Sequence, residues 1–159
     1  MTEEFIPYGK QFIDNKDIDA VIKVLKGEFL TQGPHIELFE KEICKKTNSS
    51  YSVAVNSATS ALHLSCLALD LKSGDELWTS PISFVASANC GRYCGAKINF
   101  VDIDPNTGLM SIEDLEKRLK LADKCKKLPK ILIPVHLSGA SCNMKKIHQL
   151  SLKYGFHII

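Results

Sequence analysis

Apolar and polar positions change rhythm about a third of the way along the chain. Residues 14–26 (DNKDIDAVIKVLK) set Ile18, Val21, Ile22 and Leu25 at helical spacing, with Asp14 placed to act as N-cap and Gly27 to stop the helix. The stretch EFLTQGP reads as a loop turning at Gly33-Pro34. Residues 35–47 (HIELFEKEICKKT) repeat the amphipathic pattern, with Ile36, Phe39, Ile43 and Leu38 as the inward set.

From residue 51 the apolar positions come in short continuous runs separated by helical stretches. YSVAV (51–55), DELWTS (75–80), AKINFVDI (96–103), KILIPV (130–135) and FHII (156–159) read as strands. Helices are expected between them at 58–70, 83–94, 111–124 and 143–154, with Ser111 as an N-cap and Gly155 as a C-cap. Such alternation predicts an α/β fold with a mostly parallel sheet flanked by helices. The division expected is a helical segment over 1–50, packed outside the sheet, and an α/β region over 51–159.

Composition narrows the class. The 159 residues are 45% hydrophobic and 24% charged, an ordinary globular balance. A net charge of +2 and scattered lysines give no footprint for nucleic acid or an acidic membrane. No apolar run approaches the ~20 residues of a membrane span. The start, MTEEFIPYGK, lacks a secretory pattern, so a cytoplasmic protein with reduced cysteines is expected. Cys90 and Cys94 can share a helix face, but a zinc site needs about four clustered ligands. The six cysteines therefore read as small buried or half-buried thiols.

Chemistry concentrates in three stretches. NSATSAL (56–62) puts small residues where a strand passes into a helix. The first amides of that helix lack intrahelical partners and sit at the positive end of the dipole, a place suited to phosphate. Ser57 as a plain N-cap with close packing behind it explains the same letters. In TSPISFVASAN (79–89), Phe84 can lay its ring over a flat ligand or fill the core. In PVHLSGASCNM (134–144), His136 reads as a base, a ligand or a hydrogen-bonded strand-end residue.

Taken in order, LTQGP, NSATSAL, TSPISFVASAN, INFVDIDPNTG and PVHLSG resemble the DegT/DnrJ/StrS family of sugar aminotransferases dependent on pyridoxal 5'-phosphate (PLP). The likeness is greatest to its PseC-type members, and it covers essentially the whole chain. It implies the N-terminal part of a fold-type I large domain, working as a homodimer. The reaction implied is amination of a UDP-linked 4-keto-6-deoxy amino sugar, with L-glutamate as donor, on the route to pseudaminic acid. The implied cofactor site is Ser57, Ala58 and Thr59 around the phosphate, with Phe84 stacked on the ring. The implied substrate contacts are Tyr8, Glu28, Phe29, Leu30, Thr31 and Ala58.

The same resemblance places the pyridine-binding aspartate and the Schiff-base lysine beyond residue 159. No lysine here stands in a matching context, so the 159 residues alone are expected to be inactive and, with an unfinished sheet edge, poorly soluble. A lysine-free dehydratase-like relative, an inactive fragment, and a phosphate- or nucleotide-binding α/β domain unrelated to PLP are the other readings that the letters allow.

Overall fold

The structure is a computed structural model and describes residues 9–159. Two compact units divide between Ala54 and Val55.

The first unit holds α1 (Asn15–Leu25) and α2 (Pro34–Thr47). Asp14 caps α1 in a capping box: its carboxylate accepts the amides of Lys16 and Asp17, and Asp17 accepts the amide of Asp14. Pro34 opens α2, where a missing N–H costs nothing. After α2 the Glu40 carboxylate accepts the Ala54 amide at 2.7 Å. The apolar stripes of both helices lie exposed, Ile36 at 50% and Phe39 at 57%, against the expected inward packing. Helical spacing fixes which residues share a face, not whether that face is covered.

The second unit runs α3 (Ala58–Ala68), β1 (Glu76–Thr79), α4 (Ala86–Tyr93), β2 (Lys97–Phe100), α5 (Ile112–Lys124), β3 (Ile131–Ile133), α6 (Met144–Tyr154) and β4 (His157–Ile158). Among the described residues the four strands pair in parallel, in the order β2-β1-β3-β4, and one isolated antiparallel bridge joins Ile103 to Met110. Side chains alternate across the sheet. Trp78 and Leu132 face a core built with Leu115 and Leu119 of α5 and Ile147 and Leu150 of α6. Leu77, Ile131 and Ile133 face the opposite core, with Cys66 of α3 and Cys90 of α4. Gly91 lets α4 lie close on the sheet: a Cβ there would meet Leu77 Cβ at 3.2 Å.

The strand expected at 51–55 does not form. The segment is extended coil, with Tyr51 89% and Val53 77% exposed. A strand needs a hydrogen-bonded neighbour, and among the described residues none lies beside it. The expected strands at 96–103 and 130–135 also shrink, because pairing stops at Phe100 and Ile133. The helix expected from 83 starts at Ala86, which leaves Phe84 in the preceding loop. Among the described residues no helix is long and apolar enough to cross a membrane.

Candidate functional site

Small side chains and a short polar network open the N-terminus of α3. Ser57 is its N-cap, with extended backbone at φ −161 and ψ 156. Its hydroxyl accepts the Ser60 amide at 3.2 Å, and its carbonyl accepts the Ala61 amide at 3.0 Å. Asn56 Oδ1 accepts the Ser60 hydroxyl at 2.7 Å, which braces the turn from outside. The amides of Ala58 and Thr59 are left with no partner among the described residues. So is the Thr59 hydroxyl. Ser57 and Ala58 are exposed and Thr59 is half-buried, so protein does not fill the terminus. The helix (ATSALHLSCLA) carries no carboxylate or ammonium, so nothing within it offsets its dipole.

The strand ends bring two more groups to the same side of the sheet. Residues 69–75 join the C-terminal end of α3 to the amino end of β1. Cys66 packs in one core cluster with Leu77 of β1. The opposite end of α3 therefore points toward the carboxyl end of that strand. There Thr79 Oγ1 donates to the Ile133 carbonyl at 2.9 Å, tying β1 to β3. The next residue, Ser80, is 2% exposed, and its hydroxyl has no partner among the described residues. Four residues on, Phe84 is 75% exposed, which rules out the core-filling reading of this ring. Ligands in open parallel sheets sit beyond the carboxyl ends of strands. An anion-seeking helix end, an unsatisfied buried hydroxyl and a bare aromatic ring meet that description.

The other sequence-derived residues fall elsewhere. Glu28, Phe29, Leu30 and Thr31 form the exposed loop between α1 and α2, in the first unit. Tyr8 lies outside the described residues. His136 is held by the loop after β3, where its Nδ1 accepts the Cys142 amide at 3.3 Å. Its strand-end, hydrogen-bonded reading is the one found. Lys130 sits at the amino end of β3, the far side of the sheet, 3.0 Å from the Asp75 carboxylate. Lys146 pairs with Glu116 at 2.9 Å. Among the described residues no cluster of His, Cys, Asp or Glu could hold a metal ion.

Sequence reading missed Ser80 and the bracing role of Asn56. Asn56 was legible in principle, as a side-chain acceptor directly before an N-cap. Ser80 carried no signal, because its oddity is burial without a partner.

Comparison with known proteins finds sugar aminotransferases. A UDP-4-amino-4,6-dideoxy-N-acetyl-beta-L-altrosamine transaminase of Campylobacter jejuni is 39% identical over 154 residues, covering 97% of this chain and 40% of that protein. The structure of Helicobacter pylori PseC, described as an aminotransferase involved in the biosynthesis of pseudoaminic acid, superimposes with a TM-score of 0.86 at 31% identity. That match covers 96% of this chain and 40% of PseC. The PLP-form of Spr1654 from Streptococcus pneumoniae gives a TM-score of 0.83 at 29% identity, covering 96% of this chain and 38% of that one. The chain spans 38–40% of the length of the curated relatives it matches. The family model for DegT/DnrJ/EryC1/StrS aminotransferases matches residues 11–159, and the chain belongs to that family.

Proposed function

We propose that this chain binds pyridoxal 5'-phosphate and supplies one wall of a nucleotide-sugar pocket, as the N-terminal part of a sugar aminotransferase. The open N-terminus of α3 carries the reading. In it, the amides of Ala58 and Thr59 and the Thr59 hydroxyl donate to the cofactor phosphate. Ser57 holds the first turn in place through the Ser60 amide. The dianion meets the positive end of a helix without charged side chains. Phe84 stacks on the pyridine ring, and its exposure is what such a role requires. Bound PLP supplies the electrophilic carbonyl and electron sink that amino-group transfer needs. Fixing its phosphate and one ring face limits how the reacting bond can lie against the π-system.

The substrate is a UDP-linked 4-keto-6-deoxy amino sugar, with L-glutamate as amino donor. The Campylobacter jejuni and Helicobacter pylori relatives support that choice by what they are named for. Tyr8, Glu28, Phe29, Leu30, Thr31 and Ala58 contact the sugar nucleotide. Residues 1–50 form a helical segment, and residues 51–159 form part of the PLP-binding large domain. The protein works as a cytoplasmic homodimer.

The test is equilibrium binding of PLP and of pyridoxal, its phosphate-free analogue, to the wild-type chain and to Thr59→Val. Wild type is expected to prefer PLP, and Thr59→Val to lose about tenfold, the share of a charge-assisted hydrogen bond. Equal binding of PLP and pyridoxal by wild type would refute the phosphate site.

A further inference from the structure

Cations scattered along the sequence are gathered at the end of the sheet opposite the open terminus of α3. The amino ends of β1, β2 and β3 and the C-terminal ends of α4 and α5 border a pocket of about 670 Å³. Arg92, Lys97, Lys126, Lys127 and Lys130 line it, alongside the carboxylates of Asp75 and Glu76. Both carboxylates are engaged. Asp75 Oδ2 lies 3.0 Å from Lys130 Nζ, and Glu76 Oε1 lies 3.5 Å from Lys97 Nζ. Among the described residues, Arg92, Lys126 and Lys127 have no carboxylate within ion-pair distance.

Helix capping does not account for these charges. A lysine or arginine at a helix C-terminus ordinarily compensates carbonyls that lack partners. Here backbone amides take that place. In α4 the Ala96 amide returns to the Gly91 carbonyl at 3.0 Å, and the Gly95 amide to the Arg92 carbonyl at 3.0 Å. In α5 the Lys127 amide returns to the Ala122 carbonyl at 2.8 Å, and the Lys126 amide to the Asp123 carbonyl at 3.1 Å. The two turns are one motif. Its left-handed position is Gly95 at φ 77 in α4 and Lys126 at φ 54 in α5. Glycine adopts that conformation freely, whereas a Cβ strains it. The chain thus holds a lysine at the pocket's rim where glycine would close the helix better.

We propose that this pocket binds a diphosphate group, free or carried by a nucleotide. Its volume falls in the range of small-molecule pockets, about 300–1,000 Å³. Arg92 supplies a planar fork that takes two oxygens of one phosphoryl group. Lys126 and Lys127 act as point charges on the other. Lys97 and Lys130, already paired, fix the two carboxylates away from the anion. Among the described residues none that lines the pocket is aromatic, so a base gains nothing by stacking and the diphosphate is what is recognised. The site lies at the other end of the strands from Ala58 and Thr59 and needs nothing from them.

Backbone amide NMR of the whole chain, titrated with inorganic pyrophosphate and with UDP at constant ionic strength, tests this. Saturable shifts are expected at Arg92, Lys97 and residues 126–128, with similar affinity for the two ligands. Lys126→Gly separates binding from folding, because it installs the residue that α4 uses at the same position. Its urea midpoint is expected at or above that of wild type. Its pyrophosphate affinity is expected to fall about tenfold, the share of one charge-assisted contact. Shifts confined to residues 58 and 59, shifts that rise without saturating, or undiminished affinity in Lys126→Gly would overturn the proposal. So would binding of UDP without pyrophosphate. Residues 58 and 59 report on α3 separately, so failure here and failure of the PLP site are distinguishable.

Discussion

The hydroxyl of Ser57 accepts the backbone amide of Ser60 at 3.2 Å, satisfying one of the free N–H groups that open α3. A side chain that caps the third residue of a helix leaves the first two amides pointing outward. Ser57→Ala is therefore expected to cost about 1 kcal/mol in stability. Ser57→Thr should restore most of it, and both are readable from urea denaturation. Phosphate affinity should fall less in Ser57→Ala than in Thr59→Val, because the amides of Ala58 and Thr59 survive the change.

Asp114 links α5 to the strand exit before it. Its carboxylate accepts the Asp102 amide at 2.9 Å and pairs with Arg118. Burial opposes its charge, but the Asp102 amide and the Arg118 guanidinium outweigh burial and hold its carboxyl below the usual range. A depressed folded-state value means the contribution is complete above the unfolded value, about 3.9, and fades as pH falls through the folded one. The stability gap between wild type and Asp114→Asn should thus narrow as pH falls below the unfolded value and through the lower folded one. A gap constant with pH would show that the charge contributes nothing.

Glu76 ties three groups at the amino end of the sheet. Its Oε2 accepts Trp78 Nε1 at 2.9 Å and Asn99 Nδ2 at 2.6 Å, and Lys97 Nζ lies 3.5 Å from Oε1. Removing the carboxylate orphans the indole N–H of a residue only 5% exposed. Glu76→Ala is expected to cost about 1–3 kcal/mol. Lys97→Ala, which removes only the exposed partner, should cost under about 1 kcal/mol. Denaturation midpoints of the two variants check the order.

Gly91 sets the distance between α4 and the sheet. A Cβ there would lie 2.6 Å from Ile98 Cδ1 and 3.2 Å from Leu77 Cβ. Ile98 can swing its terminal methyl aside, but the Leu77 contact is at the root of a fully buried side chain. Gly91→Val should destabilise by about 1–3 kcal/mol through overpacking. A midpoint at or above that of wild type would mean α4 can move away freely.

The four sheet strands and the helices between them were legible because each apolar run is closed by its own cap or turn. Asp14, Ser57, Ser111 and Gly155 stand where the structure uses them as caps. Gly155, at φ 76, is the one that needs its residue type, since a left-handed C-cap strains any side chain with a Cβ. Strand status at 51–55 was not legible. Val53 and Val55 have β propensity, but pairing is a long-range property that local letters do not carry. Phe84 shows the same limit: its exposure depends on where α4 begins, and Val85 and Ala86 leave that start unmarked. The open terminus of α3 was read correctly from the smallness of Ser57, Ala58 and Thr59. The unsatisfied Ser80 hydroxyl beyond β1 became visible only once the sheet was built.

The account stands on the free amides that begin α3. Backbone amide NMR of the chain, titrated in parallel with PLP and with pyridoxal, reads them directly. PLP is expected to shift the Ala58 and Thr59 resonances most strongly, with inorganic phosphate shifting the same pair and pyridoxal leaving them in place. Resonances at 58 and 59 that stay fixed while PLP shifts others would contradict it.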